Sequence, residues 1–244
     1  MEYSAYYETK LYPIQNEILK NLKNLELPFY LTGGTALSRG YFNHRYSDDL
    51  DLFVNNDSSF LAYTEAAINC FKKAGYLINT DTMTENYVRI YINAGLNGLS
   101  KKGLKIDFVN DVAAHFDDIK ETPIYYRTDS LRNILSNKYT ALYRISVKDV
   151  VDICEIAKHY KFSWKDIIKE AEQKEAGIDL KEVSEIFRSF TDTSFLKIHW
   201  KKDINLNKLK ENISKIACDI MTLGDNSLYN QIKRNKHHDT GYER

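Results

Sequence analysis

The sequence predicts an α+β protein in which a mixed sheet of about five strands, flanked by helices, is followed by a helical C-terminal half. Before about residue 127, short apolar runs alternate with glycine or polar turns, which is typical of buried strands. After about residue 130, apolar residues recur at helical spacing instead. We therefore expect two domains, a mixed α/β domain at residues 1–127 and a helical domain at residues 128–244.

Individual elements follow from local patterns. Pro13 suits the first turn of a helix, and an apolar stripe continues that helix through Leu22. The apolar runs predict strands at residues 29–31, 49–54, 76–79, 87–93 and 105–109. A short helix is expected at 35–39, and a longer one is capped by Asp57 or Ser58 and stopped by Gly75. The last two strands are joined by a loop that holds Gly95, Gly98 and Gly103.

In the C-terminal half, helix starts are marked by capping pairs. Ser163 is followed three residues later by Asp166, and Asp179 is followed by Glu182. A further helix fits residues 206–221, and the basic tail at 233–238 is expected to be a frayed terminus.

Composition narrows the class of protein. Of the 244 residues, 43% are hydrophobic, and 34 Lys and Arg balance 34 Asp and Glu. There is no long uncharged apolar run for a membrane helix, and no overall positive field for nucleic acid, although a local basic groove is compatible with this balance. Cys70, Cys154 and Cys218 have neither disulfide-framework nor metal-site spacing. The first residues lack a secretory pattern, so we expect a cytoplasmic protein with no membrane partner.

Two acidic residues stand out in the second predicted strand. Asp49 and Asp51 are two apart, so their carboxylates would project from the same face of a strand and repel each other. A divalent cation such as Mg²⁺ would offset that repulsion, because Mg²⁺ favours carboxylate oxygens together with waters and phosphates. The alternative is an exposed acidic turn, and the spacing taken alone favours it.

A glycine pair lies between the first two predicted strands. Gly33, Gly34 and Thr35 come after a strand and before a short helix, so their backbone N–H groups can face a phosphate and the Thr35 hydroxyl can add a donor. Alone, this pattern is weak evidence. Next to the Asp-Leu-Asp strand it predicts a phosphate cradle beside a metal-binding pair, as phosphoryl and nucleotidyl transfer require.

Together these residues resemble a known family. Gly-Gly-Thr-Ala-Leu at 33–37 with Arg-Tyr-Ser-Asp-Asp-Leu-Asp at 45–51 resembles the first motif of DNA polymerase β-like nucleotidyltransferases. More narrowly, it resembles the AbiEii/AbiGii toxins of bacterial abortive-infection and toxin–antitoxin systems. Residues 137–152 are similar to a second segment of that family, with Lys148 where the family usually has an arginine. Lysine lacks the bidentate geometry of arginine. The resemblance covers about residues 31–158.

The resemblance implies a polymerase β-like fold that transfers a nucleoside monophosphate from a nucleoside triphosphate (NTP) to an acceptor hydroxyl. Two Mg²⁺ ions would be held by Asp49, Asp51 and a third carboxylate on a neighbouring strand. Asp107 is the best candidate for the third, since it is the one acid of an apolar strand. Losing Asp107 is expected to abolish turnover and to relieve crowding between acids, so that stability holds or rises.

Further roles come from the second segment. Lys138 would contact the triphosphate, and Asp149 would have a catalytic or orienting role. Arg144 and Asp152 are interpreted as structural, with Asp152 able to pair with Lys148 on the surface.

The resemblance suggests RNA as acceptor, most plausibly the 3′ end of tRNA, and a cognate antitoxin encoded nearby. A small hydroxyl compound of the aminoglycoside type and a protein side chain are alternative acceptors, and a nucleotide-binding regulator without turnover is the alternative class. Basic residues interleaved with two aromatics suit RNA, although a solvated helix face is the competing interpretation. They are Lys197, Lys201, Lys202, Lys208 and Lys210, with Phe195 and Trp200.

Overall fold

The computed structural model describes residues 2–93, 99, 103–229 and 231. The chain forms two compact units, a first unit at Met1–Ser130 and a second unit at Leu131–Arg244. The domain border expected at residues 127 and 128 stays a prediction, because compactness alone does not define independent domains. In the part of the chain that the structure describes, no helix is long and apolar enough to cross a membrane.

The first unit begins with α1 (Glu2–Tyr6), a π-helical turn (Tyr7–Leu11) and α2 (Tyr12–Asn24). As the sequence predicts, Pro13 lies in the first turn of α2, where its fixed φ suits the helix. Ile18 and Leu22 are fully buried, so the apolar stripe is the core face of this helix.

A mixed five-stranded sheet follows, and the predicted fold class is confirmed. The strands are β1 (Tyr30–Thr32), β2 (Leu50–Asn55), β3 (Ile78–Met83), β4 (Tyr87–Ile92) and β5 (Leu104–Asp111). Their spatial order is β1-β2-β5-β4-β3. β2 and β5 run parallel, whereas the other neighbouring pairs are antiparallel. The parallel pair lies in the interior of the sheet, and it carries two of the predicted acids, Asp51 and Asp107.

Helices connect the strands. α3 (Gly33–Thr35) continues into a π-helical segment (Ala36–Phe42), and α4 (Phe60–Lys73) follows β2. The Asp57 carboxylate accepts a hydrogen bond from the Ser59 backbone before α4, at the start that the sequence predicted. Of the glycines in the predicted loop before β5, Gly95 and Gly98 lie outside the described residues.

Side chains alternate in direction along the strands, which gives the sheet a buried core face and a second face that carries the predicted acids. Leu50, Leu52, Ile106 and Phe108 are fully buried on the core face. Because successive side chains point to opposite faces, Asp51, Lys105 and Asp107 share the other face.

The second unit is helical, as predicted. Its helices are α5 (Leu131–Thr140), α6 (Val147–His159), α7 (Trp164–Lys174), α8 (Leu180–Arg188), α9 (Asp192–Leu196) and α10 (Leu206–Met221), and a 3₁₀ turn (Ala141–Arg144) follows α5. Asp179 caps α8 through the Glu182 N–H, and Asn205 caps α10 through the Lys208 N–H. The basic tail at 233–238 lies outside the described residues.

Candidate active site

The three predicted carboxylates meet at the parallel strand pair. Asp51 and Asp107 are direct register partners in β2 and β5. Asp49 lies in the loop just before β2, one residue earlier than the observed strand start. The Lys105 ammonium lies 2.8 Å from Asp49 Oδ2 and 3.3 Å from Asp107 Oδ2. Sequence reasoning therefore located the acids but missed the lysine that two of them contact.

Asp107 is held by a cationic and phenolic network. Arg89, its register partner in β4, donates from Nε to Oδ1 at 2.7 Å and from a terminal nitrogen to Oδ2 at 3.0 Å. The Tyr87 hydroxyl donates to Oδ1 at 3.1 Å. Burial acts to raise the pKa of Asp107, but the Arg89 hydrogen bonds and the Lys105 charge outweigh it, so the pKa lies below its ordinary value. Removal of Asp107 was expected from the sequence to relieve crowding between acids and so to hold or raise stability. That premise is wrong, since Asp107 is paired with cations.

Asp49 is the acid in an unfavourable environment. Burial raises its pKa above the ordinary value, with hydrogen bonding and charge from Lys105 opposing and the charges of Asp48 and Asp107 reinforcing the rise. For Lys105, burial alone would lower the pKa, but the surrounding carboxylates raise it above the ordinary value. Lys105 is thus fully protonated at neutral pH and neutralises part of the acidic cluster.

The glycine turn closes against these acids. Gly33 has φ +68°, and a Cβ there would lie 2.3 Å from Asp51 Oδ2. A Cβ on Gly34 would lie 2.6 Å from a terminal nitrogen of Arg45 and 3.1 Å from Ser47 Oγ. Both positions need glycine because side chains of the acidic segment occupy the space. The turn and the carboxylates are therefore in direct contact, as a phosphate cradle beside a cation site requires.

Thr35 contacts the loop that carries Asp49. Its side chain is fully buried, and its hydroxyl donates to the backbone carbonyl of Asp49. A hydroxyl has a single hydrogen to donate. Thr35 therefore positions this loop in the structure, and its role as a phosphate donor stays a prediction.

A cluster of tyrosines holds the same loop from the N-terminal helices. The Tyr7 hydroxyl donates to Asp48 Oδ1, and the Tyr7 ring stacks on Tyr46 at 4.4 Å. The Tyr12 hydroxyl accepts from the Ser47 N–H at 3.2 Å. In the sequence these tyrosines are scattered among 18, so their convergence was not predictable from spacing.

In the second unit, the predicted helix residues form a buried ionic cluster. The Lys138 ammonium lies 2.7 Å from Asp149 Oδ1 and 2.8 Å from Asp152 Oδ2. Arg144 donates to both oxygens of Asp149. Both carboxylates are fully buried, and the expected pair between Asp152 and Lys148 stays a prediction. The structural interpretation of Arg144 and Asp152 agrees with this cluster, and the ammonium expected at the triphosphate is here bound to two carboxylates.

The aromatic residues of the basic stretch are not equivalent. Phe195 is buried, so it is unable to stack on a base. Trp200 is half-buried, and its indole N–H donates to the Phe195 carbonyl at 2.9 Å.

The acidic cluster fits a cation by its chemistry. Asp49 and Asp107 converge on one positive group, the Lys105 ammonium, and Asp51 adjoins Asp107. Among the residues that the structure describes, no group of three or more His, Cys, Asp or Glu side chains is arranged to hold a metal ion as it stands. The metal-ligand roles of Asp49, Asp51 and Asp107 therefore stay predictions.

The sheet, the glycine turn and the paired acids define a protein of the nucleotidyltransferase class. Residues 17–215 match the family described as nucleotidyl transferase AbiEii toxin, type IV toxin–antitoxin system. The chain belongs to this family and is a nucleotidyltransferase of the toxin type, as the motifs predict.

Solved structures show the same fold. JHP933 from Helicobacter pylori is 20% identical, with a TM-score of 0.61 over 96% of this chain and 97% of that one. The nucleotidyltransferase toxin MenT4 from Mycobacterium tuberculosis is 11% identical, with a TM-score of 0.59 over 86% of this chain and 82% of that one. Among curated protein sequences, none matches.

Proposed function

We propose that this protein is a magnesium-dependent toxin that transfers a nucleoside monophosphate from an NTP to an RNA hydroxyl, with the 3′ end of tRNA as acceptor and a cognate antitoxin as partner. The observation that supports the chemistry best is the contact between the glycine turn and Asp51, beside Asp49 and Asp107. A nucleotidyl transfer needs a phosphate-binding turn and carboxylates within one small volume, and the approach of the glycine turn to Asp51 supports that arrangement.

The proposed roles follow from the contacts. Asp49, Asp51 and Asp107 would hold magnesium, which when bound supplies charge neutralisation at the phosphates and a lower pKa for the attacking hydroxyl. The backbone of Gly33 and Gly34 would bind phosphate oxygens. Catalysis of this kind is mostly positioning and charge stabilisation.

Arg89 and Tyr87 fix the orientation of Asp107, and Thr35 fixes the backbone at Asp49. Lys105 supplies a permanent positive charge at the edge of the same cluster. These four residues position the acids rather than react.

The role of the second unit rests on its ionic cluster. Lys138 and Asp149 are proposed to act in catalysis indirectly, by fixing the junction of α5 and α6.

Incubation of the protein with each labelled NTP, Mg²⁺ and total RNA tests the proposal. We expect label in RNA of tRNA size, and loss of that label with EDTA or with Asp49→Ala, Asp51→Ala. Label in protein or in a small molecule, with RNA unlabelled, would contradict the RNA acceptor. Expression without an antitoxin should slow growth, and the double alanine variant should not.

A charge-reversal pair tests the basic stretch. Lys201→Glu, Lys202→Glu should weaken RNA labelling while leaving the thermal shift by NTP unchanged, because phosphate contacts dominate nucleic-acid affinity. Lys165→Glu, Lys169→Glu on α7 is the matched control, since it reverses two exposed lysines of the same unit outside the stretch. Equal loss in both pairs would indicate a general effect of net charge.

A further inference from the structure

A small cavity in the second unit lies at the start of α10. Its volume is about 180 Å³, and its lining includes Lys158, Trp200, Asp203, Asn205, Lys208 and Asn212. Sites for complete small molecules are typically about 300–1,000 Å³. This cavity is therefore of a size for one planar ring whose substituents extend outside it.

Asn212 gives the cavity an unused hydrogen-bonding group. The residue is 5% exposed, and its side-chain oxygen has no hydrogen-bond partner among the described residues. Buried amide oxygens in native proteins are almost always paired, so an unpaired one lining a cavity indicates a ligand or a water. An asparagine amide presents an acceptor and donors in one plane, which suits the edge of a nucleobase.

The other lining groups favour the same ligand. The Trp200 indole is held by its hydrogen bond to the Phe195 carbonyl, so its orientation is fixed without a ligand. Lys158 and Lys208 are paired with Glu155 and Glu211, so the cavity carries no excess of positive charge from its lysines. An aromatic ring and a planar amide are the groups that stack on an unpaired base and hydrogen-bond to its edge.

We propose that this cavity binds a single unpaired nucleobase of the RNA substrate. Trp200 stacks on the base, and the Asn212 amide hydrogen-bonds to its edge. The inference rests on the proposed function, because it assigns part of the acceptor's binding to the second unit.

Fluorescence with a single-stranded tetraribonucleotide tests the inference. The protein carries Asp49→Ala, Asp51→Ala to prevent turnover, and anisotropy of a labelled oligomer gives the affinity. Trp164 is fully buried, so quenching of tryptophan emission reports on Trp200. We expect quenching by the oligomer, its loss in Trp200→Leu, and an affinity weakened roughly 10-fold or more, the scale of one base–aromatic stack.

Two further variants separate binding from folding. Asn212→Leu should weaken oligomer binding about 5-fold or more without lowering the melting temperature, because the amide oxygen it removes has no partner. Lys215→Ala, on the same helix but outside the cavity, should bind like the parent protein. Unchanged affinity in Trp200→Leu and Asn212→Leu would overturn the proposal, as would equally tight binding of free nucleoside monophosphates.

Failure of the proposed function and failure of the cavity proposal give different results. If the active protein never labels RNA but the oligomer still quenches Trp200 through these residues, the cavity binds RNA and the acceptor assignment is wrong. If RNA is labelled while both cavity variants bind the oligomer normally, the acceptor assignment holds and the cavity proposal is wrong.

Discussion

Replacing Gly33 by alanine tests the link between the glycine turn and the acids. At φ +68° an L-residue is strained by about 1–2 kcal/mol. The new Cβ would also lie 2.3 Å from Asp51 Oδ2, so that carboxylate must retreat by about 1 Å to reach ordinary contact. Because the clash is with the end of a side chain, we expect Asp51 to move and the fold to survive.

The expected result is a split between stability and activity. The free energy of unfolding should fall by about 1–2 kcal/mol, whereas turnover should fall by about 100-fold, since a displacement of about 1 Å at a reacting centre has effects of that size. Gly75→Ala is the matched control, because Gly75 has φ +89° and nothing within 4 Å of a Cβ.

Urea unfolding gives stability, and pyrophosphate release with NTP and total RNA gives activity. Gly75→Ala should lose similar stability and keep its activity. Near-normal turnover in Gly33→Ala, or an equal loss of activity in both variants, would refute the reasoning.

The pKa values of Asp107 and Asp49 are shifted in opposite directions, so replacing each acid by the uncharged asparagine should change stability in opposite directions. The pKa of Asp107 is lowered, so its charged form stabilises the fold. This contribution is fully present above the ordinary aspartate pKa of 3.8 and is lost as the pH falls through the native pKa. Asp107→Asn should therefore lower stability at pH 7. The pKa of Asp49 is raised, so its charged form disfavours the fold. Asp49→Asn should therefore raise stability at pH 7, and the gain should vanish in acid. Urea titrations at pH 7 and at acidic pH decide the sign for each variant. Asp107→Ala should abolish turnover and Asp111→Ala should not, and the reverse outcome in the pyrophosphate assay would mean the third acid is misassigned. Lys138→Met should reduce the free energy of unfolding by about 3–5 kcal/mol by removing a cation that the buried Asp149 and Asp152 share, and a loss under 1 kcal/mol in urea would contradict that.

Local pattern was sufficient for the elements and for the acids. Short apolar runs bounded by glycine or polar turns predicted the five strands, because strands that build a core bury apolar side chains. The position of Asp107 in an apolar strand singled it out before its register with Asp51 was known. Most strand ends shifted by one or two residues, and the end of the third strand moved from 79 to Met83, since hydrogen bonding with the neighbouring strand, rather than the strand's own residues, decides where pairing stops.

The sequence by itself determined the fold class, the glycine turn and the acidic segments, because those features depend on residues close together along the chain. Only the tertiary structure decided the partners of those acids. Arg89 reaches Asp107 through the register of β4 and β5, and Lys105 reaches Asp49 because β5 pairs with β2, so residues distant in sequence meet. Register also explains why Asp107 is paired with cations and not crowded by acids, as had been expected. The pKa of an acid depends on whether neighbouring strands place a cation or a carboxylate beside it.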